Sequence, residues 1–466
     1  MNDRIPDAES SHCLENFEIA AGRKTGEFYG AVFQDTDVAK WLEAVGFSLA
    51  CYPDEALEKT ADEVIDLIAE AQYEDGYINT YYTIKEPGKR WTDLCEGHEL
   101  YTAGHLIEAA VAYYEGTGKK KFLDCVSKFA DLICDTFGTE EGKIHGYPES
   151  CASIGLALFG LRMAQITGES QYIDVAERAL YNTVLAGIAL DGKSFFYVNP
   201  LEVWPPACME GTSKKHVKPI RQKWFGVACC PPNIARTLAS LGQYIYAENS
   251  KKKELYVNLF VSNETELDWN ENKISVKLQT EFPWVNTYSL EIKNVPEGEM
   301  DLLLRVPDYA QDYQVTADGN MYEENKELEK GYRRVHVEKD TRIEVSFAAP
   351  AKFVYANPQV RADSGKAAIV RGPLVYCLEE IDNSQNLPAV FVDTDTALEE
   401  EKSDLFGGIV TVKARGKKIV ESSVSNSLYS GQKPQLEDVE LTAIPYPYWN
   451  NRGEGEMLVW MKELRP

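Results

Sequence analysis

The feature that most restricts what this chain can become is a change of hydrophobic period near residue 250. Up to about Tyr246 the apolar residues recur at helical spacing, and from about Glu254 they alternate. In the first part, "DVAKWLEAVGFSLACY" (Asp37–Tyr52) and "DEALEKTADEVIDLIAEAQ" (Asp54–Gln72) predict one helix pair. "HELYTAGHLIEAAVAYYEGTGKKKFLDCVSKFADLI" predicts a second and "CASIGLALFGLRMAQITGESQYIDVAERALYNTVLAG" a third. The last two pairs share a joint, "YYEGTGKKKFLD" and "AQITGESQYID", in which Thr-Gly is followed by a polar turn, an aromatic, an aliphatic and Asp. Glycine there ends one helix in the left-handed conformation, and the polar turn starts the next. Repeated helical hairpins bury their apolar faces on their neighbours, and the economical closed form is an α/α toroid.

The second part reads as strands. "ELYVNLFVS", "KISVKLQTEF", "TYSLEIKN", "MDLLLRVP", "RRVHVEKD", "TRIEVSF" and "GIVTVKAR" alternate, with turn residues between them. The expected fold is therefore multidomain: a helical toroid over 1–250, followed by a β-sandwich region over 251–466 with room for two subdomains. Between Asp191 and Val227 the chain is irregular and carries "FFYVNPLEVWPP", a stretch expected to line a cleft.

Charge narrows the partners. With 48 Lys and Arg against 74 Asp and Glu, the formal charge is −26. That argues against nucleic acid and anionic membranes and favours a neutral or cationic small ligand, or simply solubility. The start, "MNDRIPDAESSHCLENF", has neither the basic nor the apolar region of a signal peptide, and no run of eighteen apolar residues predicts a membrane span. The expected location is the cytoplasm, with the ten cysteines reduced.

Two of those cysteines are adjacent, in "KWFGVACCPPNIARTLASLGQYIY". Neighbouring Cα atoms are about 3.8 Å apart, too close for an ordinary disulfide. Pro231 and Pro232 predict an extended approach, with Asn233 as the N-cap of a helix starting at Ile234. Cys229 and Cys230 then precede a helix N-terminus, where the positive end of the dipole favours thiolate. A matching pair, Glu149 and Cys151 of "YPESCASIG", precedes another helix. One carboxylate and three thiolates form a four-ligand set suited to zinc. The other cysteines, Cys13, Cys51, Cys95, Cys125, Cys134, Cys208 and Cys377, read as small core residues.

These segments, with "NDRIPDAE", "FYGAVFQDTDVAKWLEAV", "DGYINTYYTIKEPGKRW", "ERALYNTVLAGIALDGKSFFYVNPLE" and "NRGEGEMLVW", resemble the zinc-cysteine β-L-arabinofuranosidases of glycoside hydrolase family 127 over nearly the whole chain. The resemblance implies an (α/α)6 barrel followed by β-sandwich domains, a retaining mechanism and release of L-arabinose from a small glycoside. It implies zinc held by Glu149, Cys151, Cys229 and Cys230, with Cys229 as the nucleophile. It also implies sugar contacts from His98, Glu177 and Tyr197.

One departure stands out. The family continues from "HGYP" through several more helices, and its general acid/base glutamate lies shortly before the Glu-x-Cys pair. Here the chain runs "KIHGYPESCASIG", straight from one motif into the next, and it begins inside the family pattern. An internal deletion after Pro148 is expected, leaving an incomplete toroid that lacks the acid/base. Glu140 and Glu141 sit nearby in a polar turn and read as solvated. His105 reads as a packing residue and His216 as a surface-loop residue. The alternative to a glycosidase is a non-catalytic zinc-containing sugar-binding relative. A histidine-based epimerase leaves the four metal-type ligands without a role. Exposed apolar flanks at the missing hairpins would favour a homo-oligomer.

Overall fold

The computed structural model describes residues 10–94, 96–137, 149–212, 214–225, 229–269, 272–295, 300–324, 327–420 and 428–464. Glu140 and Glu141, and Cys95, lie outside them. The chain forms two compact units, 1–147 and 148–466. The cut falls inside the helical part, because the helices after residue 148 are tied by buried polar bonds to the sheets that follow.

The first unit is helical: α1 (Cys13–Ala20), α2 (Asp35–Cys51), α3 (Glu55–Ala71), α4 (Thr80–Ile84), α5 (Glu99–Thr117) and α6 (Lys121–Thr136). Asp54 caps α3 by accepting from Ala56 N and Leu57 N at 2.9 and 3.0 Å. Helices α2 and α5 touch backbone to backbone: a Cβ on Gly46 would lie 2.5 Å from the Ala112 carbonyl carbon, and one on Gly116 would lie 2.3 Å from Gly46 O. Only glycine permits that approach.

The second unit opens with α7 (Ser150–Thr167), α8 (Gln171–Ala179, continued by a wide turn to Val184) and α9 (Cys230–Ser240). The repeated joint has one geometry in both units. Gly118 and Gly168 follow α5 and α7 at φ 72° and 68°. The threonine before each glycine, Thr117 or Thr167, donates to the carbonyl four residues back and accepts from the amide two residues on.

Two separate sheet systems follow. A six-stranded antiparallel sheet has the order 263–269, 272–280, 287–293, 341–348, 311–317, 320–321. A four-stranded sheet of 332–337, 300–305, 254–257 and 246–249 shares one core with it, through Val276, Leu290 and Val345 on one side and Leu255, Leu302 and Val335 on the other. That is a sandwich. The C-terminal sheet instead closes on itself: strands 374–379, 436–445, 409–419, 390–392, 461–463 and 366–371 pair in sequence, and the last pairs again with the first. Closure removes the exposed edges that an open sheet would carry.

Long-range polar contacts bind α8 and its extension to the sheets. Arg305, at the end of strand 300–305, is fully buried and pairs with Asp174 at 2.7 Å and with Glu177. Tyr309 donates to the other Glu177 oxygen at 2.6 Å. Asn182 donates to Pro373 O and accepts from Val375 N, both at 2.8 Å.

Two expectations change here. Cys51 and Cys134 are exposed, whereas Cys13, Cys125, Cys208 and Cys377 are buried as expected. Helix α7 is also long and apolar enough to cross a membrane by length and composition, with 18 residues and a mean hydropathy of 1.2. It carries Arg162, and 56% of it is buried inside the protein, which is the pattern of a core helix.

Candidate metal centre

Backbone pairing brings the two cysteine-bearing segments together. Ser150 N donates to Tyr197 O at 3.1 Å, and Glu149 forms an antiparallel bridge with Val198. Ser150 Oγ donates to Phe196 O at 2.9 Å and accepts from buried Asn199 Nδ2 at 3.0 Å. Phe195 and Gln222 exchange both backbone bonds at 2.9 Å, which leads the chain toward Phe225 and the start of α9. Arg221 holds that approach: Nη1 donates to Trp449 O at 2.8 Å and Nη2 to Ala186 O at 2.9 Å. Burial lowers its guanidinium to about 10.

Helix α9 starts earlier than its prolines suggest. Cys229 already has helical dihedrals (φ −71°, ψ −30°), and Pro231 and Pro232 lie inside the first turn. Proline is tolerated there because first-turn amides have no intrahelical acceptor. Asn233 is therefore not the N-cap; its amide instead makes a bond to Cys229 O at 3.2 Å. Glu149 occupies the N-cap position of α7 and Cys229 that of α9. Both pairs thus sit at helix N-termini, where negative charge is favoured.

The three sulfurs converge. Cys151 Sγ lies 3.4 Å from Cys229 Sγ and 3.8 Å from Cys230 Sγ, and the Cys229 and Cys230 sulfurs are 3.9 Å apart. With a Glu149 carboxylate oxygen, all four atoms lie within 4.8 Å of one another, a group that could hold a metal ion. None of the separations approaches the ~2.05 Å of a disulfide. Cys151 and Cys230 are buried, whereas Glu149 and Cys229 are partly accessible. Phe195, Tyr197 and Phe225 pack around the sulfurs.

Among the three thiols, Cys229 is the one favoured as thiolate. Its thiol is lowered to about 3, first by the hydrogen bond from Cys151 and then by the one from Cys230, against the effect of burial. Tyr197 also hydrogen-bonds Cys229. The Tyr197 phenol is pushed upward by burial, then by the charges of Glu149 and Cys229, so it stays protonated and can donate. Cys151 is raised chiefly as a donor to Cys229, and Cys230 as a donor to Cys151 and Cys229.

The other expected site residues lie in different surroundings. Glu177 is fully buried, with one oxygen engaged by Arg305 and the other by Tyr309. That environment ties helix to sheet. His98 belongs to the first unit and takes a left-handed conformation at the N-cap of α5. Its ring lies against Phe33 and Tyr101, with centroids at 5.1 and 5.8 Å, and Nδ1 is 2.7 Å from Glu96 O. His105 is edge-on to Tyr101, and His216 is exposed. Ser150, Asn199 and Phe225 were not anticipated. The only signal for them was their adjacency to Glu149, "FFYVNP" and the paired cysteines.

Comparison with known proteins decides the family. The β-L-arabinofuranosidase GH127 catalytic domain matches residues 1–150 and 144–243, the GH127 middle domain 254–350, and the family 127 C-terminal domain 351–462. The chain belongs to glycoside hydrolase family 127. A solved GH127 β-L-arabinofuranosidase from Geobacillus stearothermophilus T6 is 38% identical to it, with a TM-score of 0.66 over 99% of this chain and 95% of that one. A second solved GH127 β-arabinofuranosidase is 28% identical, with a TM-score of 0.60 over 97% and 92%. The non-reducing end β-L-arabinofuranosidase of Bifidobacterium longum subsp. longum is 29% identical over 97% of this chain and 92% of its own length. That alignment spans 613 residues against a chain of 466, so gaps of at least 147 positions fall within this family 127 chain. The catalytic domain accordingly matches in two pieces that meet at 144–150, immediately before α7.

Proposed function

We propose that this family 127 glycoside hydrolase is a zinc-dependent retaining β-L-arabinofuranosidase whose nucleophile is Cys229. The spacing of the sulfurs carries the reading. Zinc binds thiolate sulfur at about 2.3 Å in tetrahedral geometry, so two such sulfurs stand about 3.8 Å apart. The observed separations of 3.4, 3.8 and 3.9 Å bracket that edge. Glu149, Cys151, Cys229 and Cys230 would hold the ion. When bound, zinc keeps thiols deprotonated at neutral pH.

The chain's own residues then supply the displacement. Cys229 is the accessible sulfur of the three, so it is the one that can meet substrate. Its thiolate attacks the anomeric carbon: the carbon–sulfur bond forms and the glycosidic carbon–oxygen bond breaks, with the electron pair leaving on the oxygen. Water then attacks the same carbon and gives up a proton to solvent, the carbon–sulfur bond breaks with its electron pair returning to sulfur, and the thiolate is restored. Two inversions give net retention. Tyr197, hydrogen-bonded to Cys229, holds the sulfur in orientation. Buried Cys151 and Cys230, with Phe195 and Phe225, fence its far side from water.

Departure of a natural sugar alkoxide needs a proton. Among the described residues, Glu149 is the one carboxylate grouped with the sulfurs. The gap before α7 therefore favours a second reading, a zinc-holding sugar-binding relative with little turnover. Aryl and natural glycosides separate the two. A p-nitrophenyl arabinofuranoside needs no protonation of its leaving group, so the enzyme should cleave it while turning over an arabinose disaccharide much more slowly. Sugar binding without cleavage of either substrate would favour the second reading.

A further inference from the structure

Ser150 stands between two of the four residues that would hold the metal, and its hydroxyl is tied twice. Ser150 and Asn199 are both fully buried. The hydroxyl has one proton, which it donates to Phe196 O at 2.9 Å. It therefore accepts from Asn199 Nδ2, at 3.0 Å, and this fixes the orientation of the Asn199 amide. Gly187 leaves the room for that contact: a Cβ there would lie 3.0 Å from Ser150 Oγ. All of these residues belong to the second unit.

Stability alone does not account for an asparagine at this position. Among the described residues, nothing donates to Asn199 Oδ1, although that oxygen is buried. A buried acceptor without a partner costs stability, and an apolar side chain of the same shape avoids that cost. Backbone contacts already join the two segments, through Ser150 N to Tyr197 O and the bridge between Glu149 and Val198. What the Asn199–Ser150 contact adds is direction. With its amide and its hydroxyl both held, the residue between Glu149 and Cys151 has one setting, and both ligands are presented to one point. The same short segment reaches the other half-site, because Tyr197 hydrogen-bonds Cys229.

We infer that Asn199 is a positioning residue for the metal: through Ser150 it sets how tightly Glu149 and Cys151 hold the ion. The inference rests on the reading of the four-ligand group as a zinc site. Partners behind metal ligands orient them, and losing one commonly costs about 10–100-fold in metal affinity. Here the partner acts on the residue that joins two ligands, so one contact governs both. The effect falls on the Glu149–Cys151 half-site, whereas Cys229 and Cys230 keep their place at the start of α9.

Competition between the full chain and a fluorescent zinc chelator tests the inference, with thermal unfolding of the metal-free chain measured beside it. Asn199→Leu should bind zinc about tenfold or more weakly than the wild type. Once metal is removed, it should unfold at the wild-type temperature or above it. Ser150→Ala should weaken zinc binding by a similar factor. The double variant should bind no more weakly than Ser150→Ala alone, because Asn199 acts through Ser150. A wild type that binds no zinc would remove the metal reading, and this inference with it. A wild type that binds zinc while Asn199→Leu binds it equally well would overturn the inference alone. So would additive losses in the double variant, or a metal-free Asn199→Leu that unfolds well below the wild type, since either marks a part in the fold rather than in the site.

Discussion

Replacing Glu177 by Gln distinguishes a residue that holds the fold from one that holds sugar. The Glu177 and Arg305 side chains are both 0% exposed, and Asp174 is 7% exposed. For charges about 4 Å apart at an effective dielectric near 20, the attraction is about 4 kcal/mol. The substitution removes that attraction but also the cost of burying the carboxylate, and Arg305 keeps Asp174 as a partner. Breaking a buried pair from one side costs about 3–5 kcal/mol, so with Asp174 still in place a loss of about 2–4 kcal/mol is expected. Thermal unfolding followed by circular dichroism should show a midpoint roughly 3–6 °C lower. At a temperature where the variant is folded, its KM for an aryl arabinofuranoside should match that of the wild type. A raised KM with an unchanged midpoint would refute the structural role and return Glu177 to the sugar site. Arg305→Met probes the same network by pH. Burial already raises Asp174 to about 6, above its ordinary value, and removing the guanidinium raises it further. A carboxyl with a raised folded pKa costs stability as pH climbs from its unfolded pKa through its folded one. Arg305→Met should therefore be closest to wild type near pH 4 and fall furthest behind above pH 7.

Cys229→Ser should abolish hydrolysis of an aryl arabinofuranoside, whereas Cys377→Ala, in the buried strand 374–379, should leave the rate within about twofold, consistent with a change remote from the reaction. Equal rates would remove Cys229 from the reaction. Gly46→Ala drives a methyl group to 2.5 Å from the Ala112 carbonyl carbon, so α2 and α5 must separate. An overpacking cost of about 1–3 kcal/mol is expected, visible as faster proteolysis of the helical unit. If zinc is bound, chelating it should raise the number of rapidly titrating thiols by one, Cys229, whereas buried Cys151 and Cys230 should react with a disulfide reagent only on unfolding.

Much of this arrangement was legible because local chemistry dictated it. The change of period located the first sheet within a few residues, and the Thr-Gly joint foretold Gly118 and Gly168 in the left-handed conformation. The convergence of Glu149, Cys151, Cys229 and Cys230 could be anticipated because both pairs stand at helix starts. Other features depend on partners distant in sequence. Arg305 ends an ordinary-looking strand, "MDLLLRVP", and nothing nearby announces that Asp174 and Glu177, some 130 residues earlier, will surround it. Closure of the C-terminal sheet likewise rests on pairing between 390–392 and 461–463, which alternation alone does not specify. The prolines after Cys230 misled for a local reason: the same ring that breaks a helix interior fits its first turn. Cys51 and Cys134 lie near helix ends, where a small apolar residue need not be covered.

X-ray absorption at the zinc edge on protein purified without chelator tests the central claim most directly. The expected result is one zinc per chain with three sulfur neighbours at about 2.3 Å and one oxygen neighbour at about 2.0–2.2 Å. Cys151→Ser should reduce the sulfur shell to two. Protein that retains no zinc, or zinc ringed by nitrogen and oxygen alone, would contradict the assignment of Glu149, Cys151, Cys229 and Cys230, and with it the role of Cys229 as a metal-held nucleophile.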